Sequence, residues 1–135
     1  MADQSLVESK VEASKKLVQK LVNDGLALVA AYWDWREERG GWVLFIVAQS
    51  FADERKLIAA VSALKNEMPF RQVFSLGDVI VDSHQIERAR ALGAYIRIAP
   101  FEGRRIDTTF TGGHYFEGAI PIYLREDLLT HLHVA

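Results

Sequence analysis

The stretch LALVAAYWDWREERGGWVLFIVA, residues 26 to 48, decides the fold. Leu26 to Trp35 and Trp42 to Ala48 are rich in aromatic and β-branched residues, which suit a packed, pleated surface, and they hold all three tryptophans. Between them Arg36, Glu37, Glu38, Arg39, Gly40 and Gly41 make a polar turn ending in glycine. Two antiparallel strands joined as a hairpin are predicted. In the second strand Trp42, Leu44 and Ile46 alternate with Val43, Phe45 and Val47, and both sets are apolar. That strand is expected near the centre of a sheet, covered on both sides by the chain's own helices or by a partner chain.

Helical patterns flank the hairpin. Ser5 and Glu8 have capping-box spacing, and Val7, Val11, Leu17, Val18, Leu21 and Val22 recur with helical period until Asn23, Asp24 and Gly25. A helix over residues 5 to 23 follows, with Lys15, Lys16 and Lys20 on its wet face. After the hairpin, Ser50 and Asp53 repeat the cap spacing, and Leu57, Ala60, Val61, Leu64 and Met68 continue one stripe that Pro69 stops.

The second half is more broken. Val73 to Leu76 and Val79 to Val81 read as short strands, and Asp82 or Ser83 caps a brief helix through Ile86, Ala89 and Leu92 that Gly93 ends. Ala94 to Ala99 is expected as a strand. Arg105 to Thr111 and Tyr115 to Leu124 then form a second hairpin across Gly112 and Gly113, with Pro121 pointing to an edge position for the last strand. Arg125 to Leu132 is expected as a last short helix. Two hairpins require antiparallel neighbours, so the predicted class is α+β: a compact layered domain with a mostly antiparallel sheet and two principal packing helices.

Composition narrows the functional classes. At 135 residues with no linker or repeat, residues 1–135 are expected to form a single domain. Half the residues are apolar and a quarter charged, the net charge is −2 and the pI about 6.1, so the chain lacks the overall field that draws a protein to nucleic acid or an anionic membrane. Arg88, Arg90, Arg97, Arg104 and Arg105 make the second half locally basic, but Glu87, Glu102, Asp107 and Glu117 interrupt them. With no cysteine, disulfides, thiolate catalysis and cysteine-ligated metals are excluded. Met1 to Lys20 carries no continuous apolar signal core and no run nears the roughly 20 apolar residues of a membrane span, so a cytoplasmic protein is expected.

No catalytic signature is present. Ser50, Ser62, Ser75 and Ser83 lie outside any G-x-S-x-G elbow, and His84, His114, His131 and His133 lack metal-ligand spacing, so neither metal nor other cofactor is expected. The best local candidate is the second hairpin. Gly112 and Gly113 allow backbone amides to approach a ligand, Tyr115 adds a ring, and His114 titrates near neutral pH. If neighbouring strands pair, Arg97 and Arg105 converge with His114 as an anion-binding group.

Two functional expectations follow. The leading one is a non-enzymatic protein-interaction or regulatory module with Trp33, Trp35 and Trp42 as interaction residues, its partner another protein or a second copy in a homodimer. The alternative is an enzyme acting on a small anionic substrate, with Arg97, Arg105, Gly112, Gly113 and Tyr115 in the ligand site and His114 as acid or base.

Overall fold

The computed structural model describes residues 8–67, 70, 74, 78–95, 106–111 and 113–125. Helix α1 (Glu8–Asn23) leads into strand β1 (Leu28–Arg36), a 3-10 turn over Glu37–Arg39, strand β2 (Gly41–Ala48) and helix α2 (Phe51–Lys65). Strand β3 (Val79–Val81), a 3-10 turn over Ser83–Gln85, helix α3 (Ile86–Tyr95) and the hairpin of β4 (Ile106–Thr111) and β5 (His114–Leu124) complete the described order.

Among the described residues the sheet has five strands in the order β3-β2-β1-β5-β4. The first hairpin pairs as its alternation predicts, from Trp35 opposite Trp42 through Tyr32 opposite Phe45, and Gly40 takes a left-handed φ of 71° at the turn. β1 also pairs antiparallel with β5, and β5 with β4. β3 runs parallel to β2, so the sheet is mixed rather than mostly antiparallel. The α+β class holds.

The two apolar faces of β2 meet two different helical layers. Leu44, Ile46 and Ala48 join Leu17, Val18 and Leu21 of α1 and Leu57, Val61 and Leu64 of α2. Val43, Phe45 and Val47 join Ala89, Ala91 and Leu92 of α3 on the opposite face, with Tyr32 and Phe116. Both layers therefore come from the chain itself.

The structure corrects three local expectations. α3 runs through Gly93 to Tyr95, so residues 94 and 95 are helical where a strand was predicted; Gly93 is buried within that helix, and packing outweighs its roughly 1 kcal/mol propensity penalty. β5 is an inner strand, not an edge. Pro121 is accommodated because the register with β1 shifts between Ala31 and Tyr32, next to the proline. α2 closes at Lys65 with Asn66 as its cap, short of Met68. The Ser5 cap, residues 96–99 and the helix expected over 126–132 lie outside the described residues.

Candidate functional site

Asp34 decides the chemistry of the α3 side of the sheet. Alternation along β1 puts it on the same face as Tyr32, and it is fully buried there. A carboxylate in that position is tolerable only when cations and donors surround it. Two guanidiniums do so. Arg36 Nε donates to Asp34 Oδ2 at 3.0 Å, while Arg88 from α3 donates Nε to Oδ2 at 2.9 Å and Nη2 to Oδ1 at 3.3 Å.

Each arginine also lies over an aromatic ring. Arg88 Cζ is 3.9 Å from the Phe116 centroid and Arg36 Cζ 4.8 Å from that of Phe45. Further bonds fix both heads: Arg88 Nη2 donates to the Tyr115 carbonyl at 2.7 Å, and Arg36 Nη2 donates to Gln85 Oε1 at 3.3 Å. The Tyr32 hydroxyl donates to the same Gln85 oxygen at 3.4 Å. Burial first, and then the neighbouring Asp34 charge, push that hydroxyl well above the ordinary phenol range, so it acts as a neutral donor.

Above this network lies a cleft of about 390 Å³ lined by Trp35, Arg36, Glu37, Glu38, Arg88, Tyr115 and Glu117. The 3-10 turn carries Glu37 and Glu38 to the rim. Glu38 stands 3.5 Å from Arg36 Nη1, and a hydrogen bond from its own backbone, with the Arg36 charge, holds its carboxyl below the usual range and ionised. Tyr115, 53% exposed, stands at the mouth on β5.

The residues singled out from sequence are dispersed. Trp33 is fully buried in the α1 and α2 layer, so it belongs to the core and offers no surface to a partner. Trp35 and Trp42 are partly buried and meet edge to face at 5.6 Å. Gly118 makes room for them, since a Cβ there would stand 3.0 Å from Trp42 Cη2. His114 opens β5 opposite Thr111, and Gly113 takes a φ of 81° in the turn before it. Arg97, Arg105 and Gly112 lie outside the described residues, so the convergence of Arg97 and Arg105 with His114 is not described. Of the predicted ligand residues, Tyr115 lines the cleft. Asp34 and Arg36, missed as site residues, carried one signal: an acid between two tryptophans in an apolar run needs a buried partner.

Glu54, Asp82 and His84 also bring ligand-type atoms within 4.8 Å of one another, but their bonds are those of a capped turn. Ser83 N–H donates to Glu54 at 2.6 Å and His84 N–H to Asp82 at 2.8 Å. Partial burial raises the Asp82 carboxyl, yet the bonds from the His84 amide and ring and from Gln85 outweigh it and leave the net shift downward. A lowered carboxyl contributes stability above its unfolded value near pH 4 that is lost as pH falls through the lower folded value. Asp82→Ala is expected to cost about 1 kcal/mol at pH 7 through loss of the cap. It should also flatten the acid side of the stability profile in urea titrations run at successive pH values. Superimposable acid limbs for the two proteins would refute the assignment.

Arg90 pairs with Glu87 at 2.8 Å, so it and Arg88 are both engaged within the chain rather than presented as a basic strip. No described helix is long and apolar enough to cross a membrane. No protein-family model, curated protein or solved structure matches the chain.

Proposed function

We propose that this chain is a non-enzymatic protein-interaction or regulatory module of the cytoplasm, and that its partner, another protein or a second copy, docks on the outer face of α2. The observation that supports this reading is the exposure of Phe51 at 65% and Ile58 at 44%. They stand seven residues apart, two helical turns along one stripe, while Leu57, Val61 and Leu64 already fill the inward face. Exposed Ser62, one turn beyond Ile58, extends the stripe with a small side chain, and exposed Arg55 stands between Phe51 and Ile58. Large apolar side chains repeated on one exposed stripe are the usual mark of a recognition surface.

The test is a comparison of the native chain with Phe51→Glu/Ile58→Glu, which leaves the inward face intact. Both proteins are expected to melt alike. The native chain should either scatter light at about twice the 15.2 kDa chain mass or retain a reproducible protein partner in affinity purification, and the variant should do neither. A monomeric native chain that retains no protein lost by the variant would remove the proposal, most clearly if the purified protein also turns over a small anion in a manner that His114→Ala abolishes.

A further inference from the structure

Given docking on α2, on which this step rests, we infer that the occupant of the stripe is another protein rather than a second copy of this chain, and that it sets a carboxylate on Arg55 with apolar side chains to either side. Phe51, Arg55, Ile58 and Ser62 follow one another at intervals of four, three and four residues, so they share one stripe of the helix, and all four are exposed. A cation therefore sits inside the apolar patch, not beside it.

The chain itself does not answer that charge. The two acids that precede Arg55 in α2 are both engaged elsewhere: the Ser83 N–H donates to Glu54 Oε1 at 2.6 Å, and the Ser50 hydroxyl donates to Asp53 Oδ2 at 2.9 Å. Among the described residues no carboxylate lies within ion-pair distance of Arg55, whereas Lys10, Lys15, Arg36, Arg88 and Arg90 each have one.

Symmetry decides against a second copy. Two copies of α2 paired parallel about a two-fold axis set each residue of the stripe against its own counterpart. Paired antiparallel, the register that lays Phe51 of one copy on Ile58 of the other brings positions 54 and 55 to the axis and both Arg55 side chains to the same flank. Either way the cation in the middle of the patch faces its like, and like charges across an interface suppress that pairing. A carboxylate on another protein removes the conflict. It can bond the guanidinium through two parallel donors while Phe51 and Ile58 keep water from the pair.

The test uses the full chain, native and substituted, to capture protein from the native cell. Arg55→Glu should weaken capture of the partner at least about tenfold, and Arg55→Lys, which keeps the charge, by no more than about threefold. These side chains are exposed, so the variants should melt with the native chain. Arg55→Lys also supplies a primary amine, which a carbodiimide joins by an amide bond to a carboxylate in contact with it. Mass spectrometry should map the product as a link from position 55 to an Asp or Glu of another protein, flanked there by apolar residues, and adding Phe51→Glu/Ile58→Glu should abolish the link. Capture lost with Phe51→Glu/Ile58→Glu but kept with Arg55→Glu leaves docking on α2 standing and overturns the acidic partner. A dimer at about twice the 15.2 kDa chain mass that Phe51→Glu/Ile58→Glu dissolves, or a link from position 55 to a second copy, overturns it as well. Capture that neither substitution reduces, or no capture at all from a monomeric chain, removes docking on α2 and the acidic partner together.

Discussion

Asp34→Ala is expected to lower the stability of this domain by about 3–5 kcal/mol, a large share of the 5–15 kcal/mol available to a typical fold. The substitution removes the carboxylate that two guanidiniums share, and Arg36 and Arg88 cannot simply turn to water. Their rings, the Tyr115 carbonyl and Gln85 hold them in place. The cost is therefore that of leaving two partly buried cations without their counter-charge, not the worth of two salt bridges. A second variant separates these ideas. Asp34→Leu/Arg36→Leu/Arg88→Met replaces all three charged groups with apolar ones of similar size, and it should recover most of the loss, since a well-packed apolar substitute for a buried charge network is often neutral or better. Urea denaturation of the two variants provides the measurement. If the single substitution costs less than about 1 kcal/mol, Asp34 is not the hub that its bonds imply.

The reason this hub was illegible in the sequence is distance along the chain. Asp34 and Arg88 are 54 positions apart, and neither the acid in β1 nor the basic residues of α3 belong to a pattern that names the other. Read locally, Asp34 looks like the start of the polar turn that follows, and Arg88 like one charge on a wet helix. What was legible is what depends on period and on turn chemistry. The alternation of Trp42 to Val47 announced a strand covered on both faces, and the Gly40 turn announced its antiparallel neighbour. The parallel addition of β3 was not legible, because three residues carry no register and the pairing rests on backbone bonds such as Leu44 N–H to the Asp78 carbonyl. Gly93 misled for a related reason: a local stop signal was overridden by the burial of the helix that contains it.

The tryptophans show how residue type alone fails to separate a core residue from a docking residue. All three read from sequence as candidates for an exposed aromatic face, yet Trp33 differs from Trp35 and Trp42 by its depth. Alternation puts Trp33 and Trp35 on one side of β1, and Trp33 is buried there in one layer with α1, Phe70 and Phe74. Its ring stacks on Phe74 at 6.2 Å, and Phe74 in turn on Phe70 at 6.3 Å.

Trp33→Ala is accordingly expected to cost about 3–5 kcal/mol, the range for removing a large buried aromatic, with the cavity opening between β1, α1 and Phe74. The polar end of the ring allows a sharper test. Trp33 Nε1 donates to Ser14 Oγ at 3.0 Å, and Ser14 donates onward to the Val11 carbonyl at 2.7 Å, so one buried hydroxyl serves both the sheet and the helix. Ser14→Ala strands the indole N–H in a dry layer and should cost about 1–3 kcal/mol, because an unpaired buried donor loses its full solvation. Trp33→Phe takes away that donor while Ser14 keeps its bond to Val11, so its cost is mainly lost volume. In the double variant the stranded donor no longer exists, and the loss should fall short of the sum of the two single losses by about 1 kcal/mol or more. Stabilities from urea denaturation that simply add across the cycle would show that the bond between sheet and α1 contributes nothing beyond packing. A shortfall would identify Trp33 as the residue that fixes α1 on the sheet, which is the reason it is unavailable to a partner.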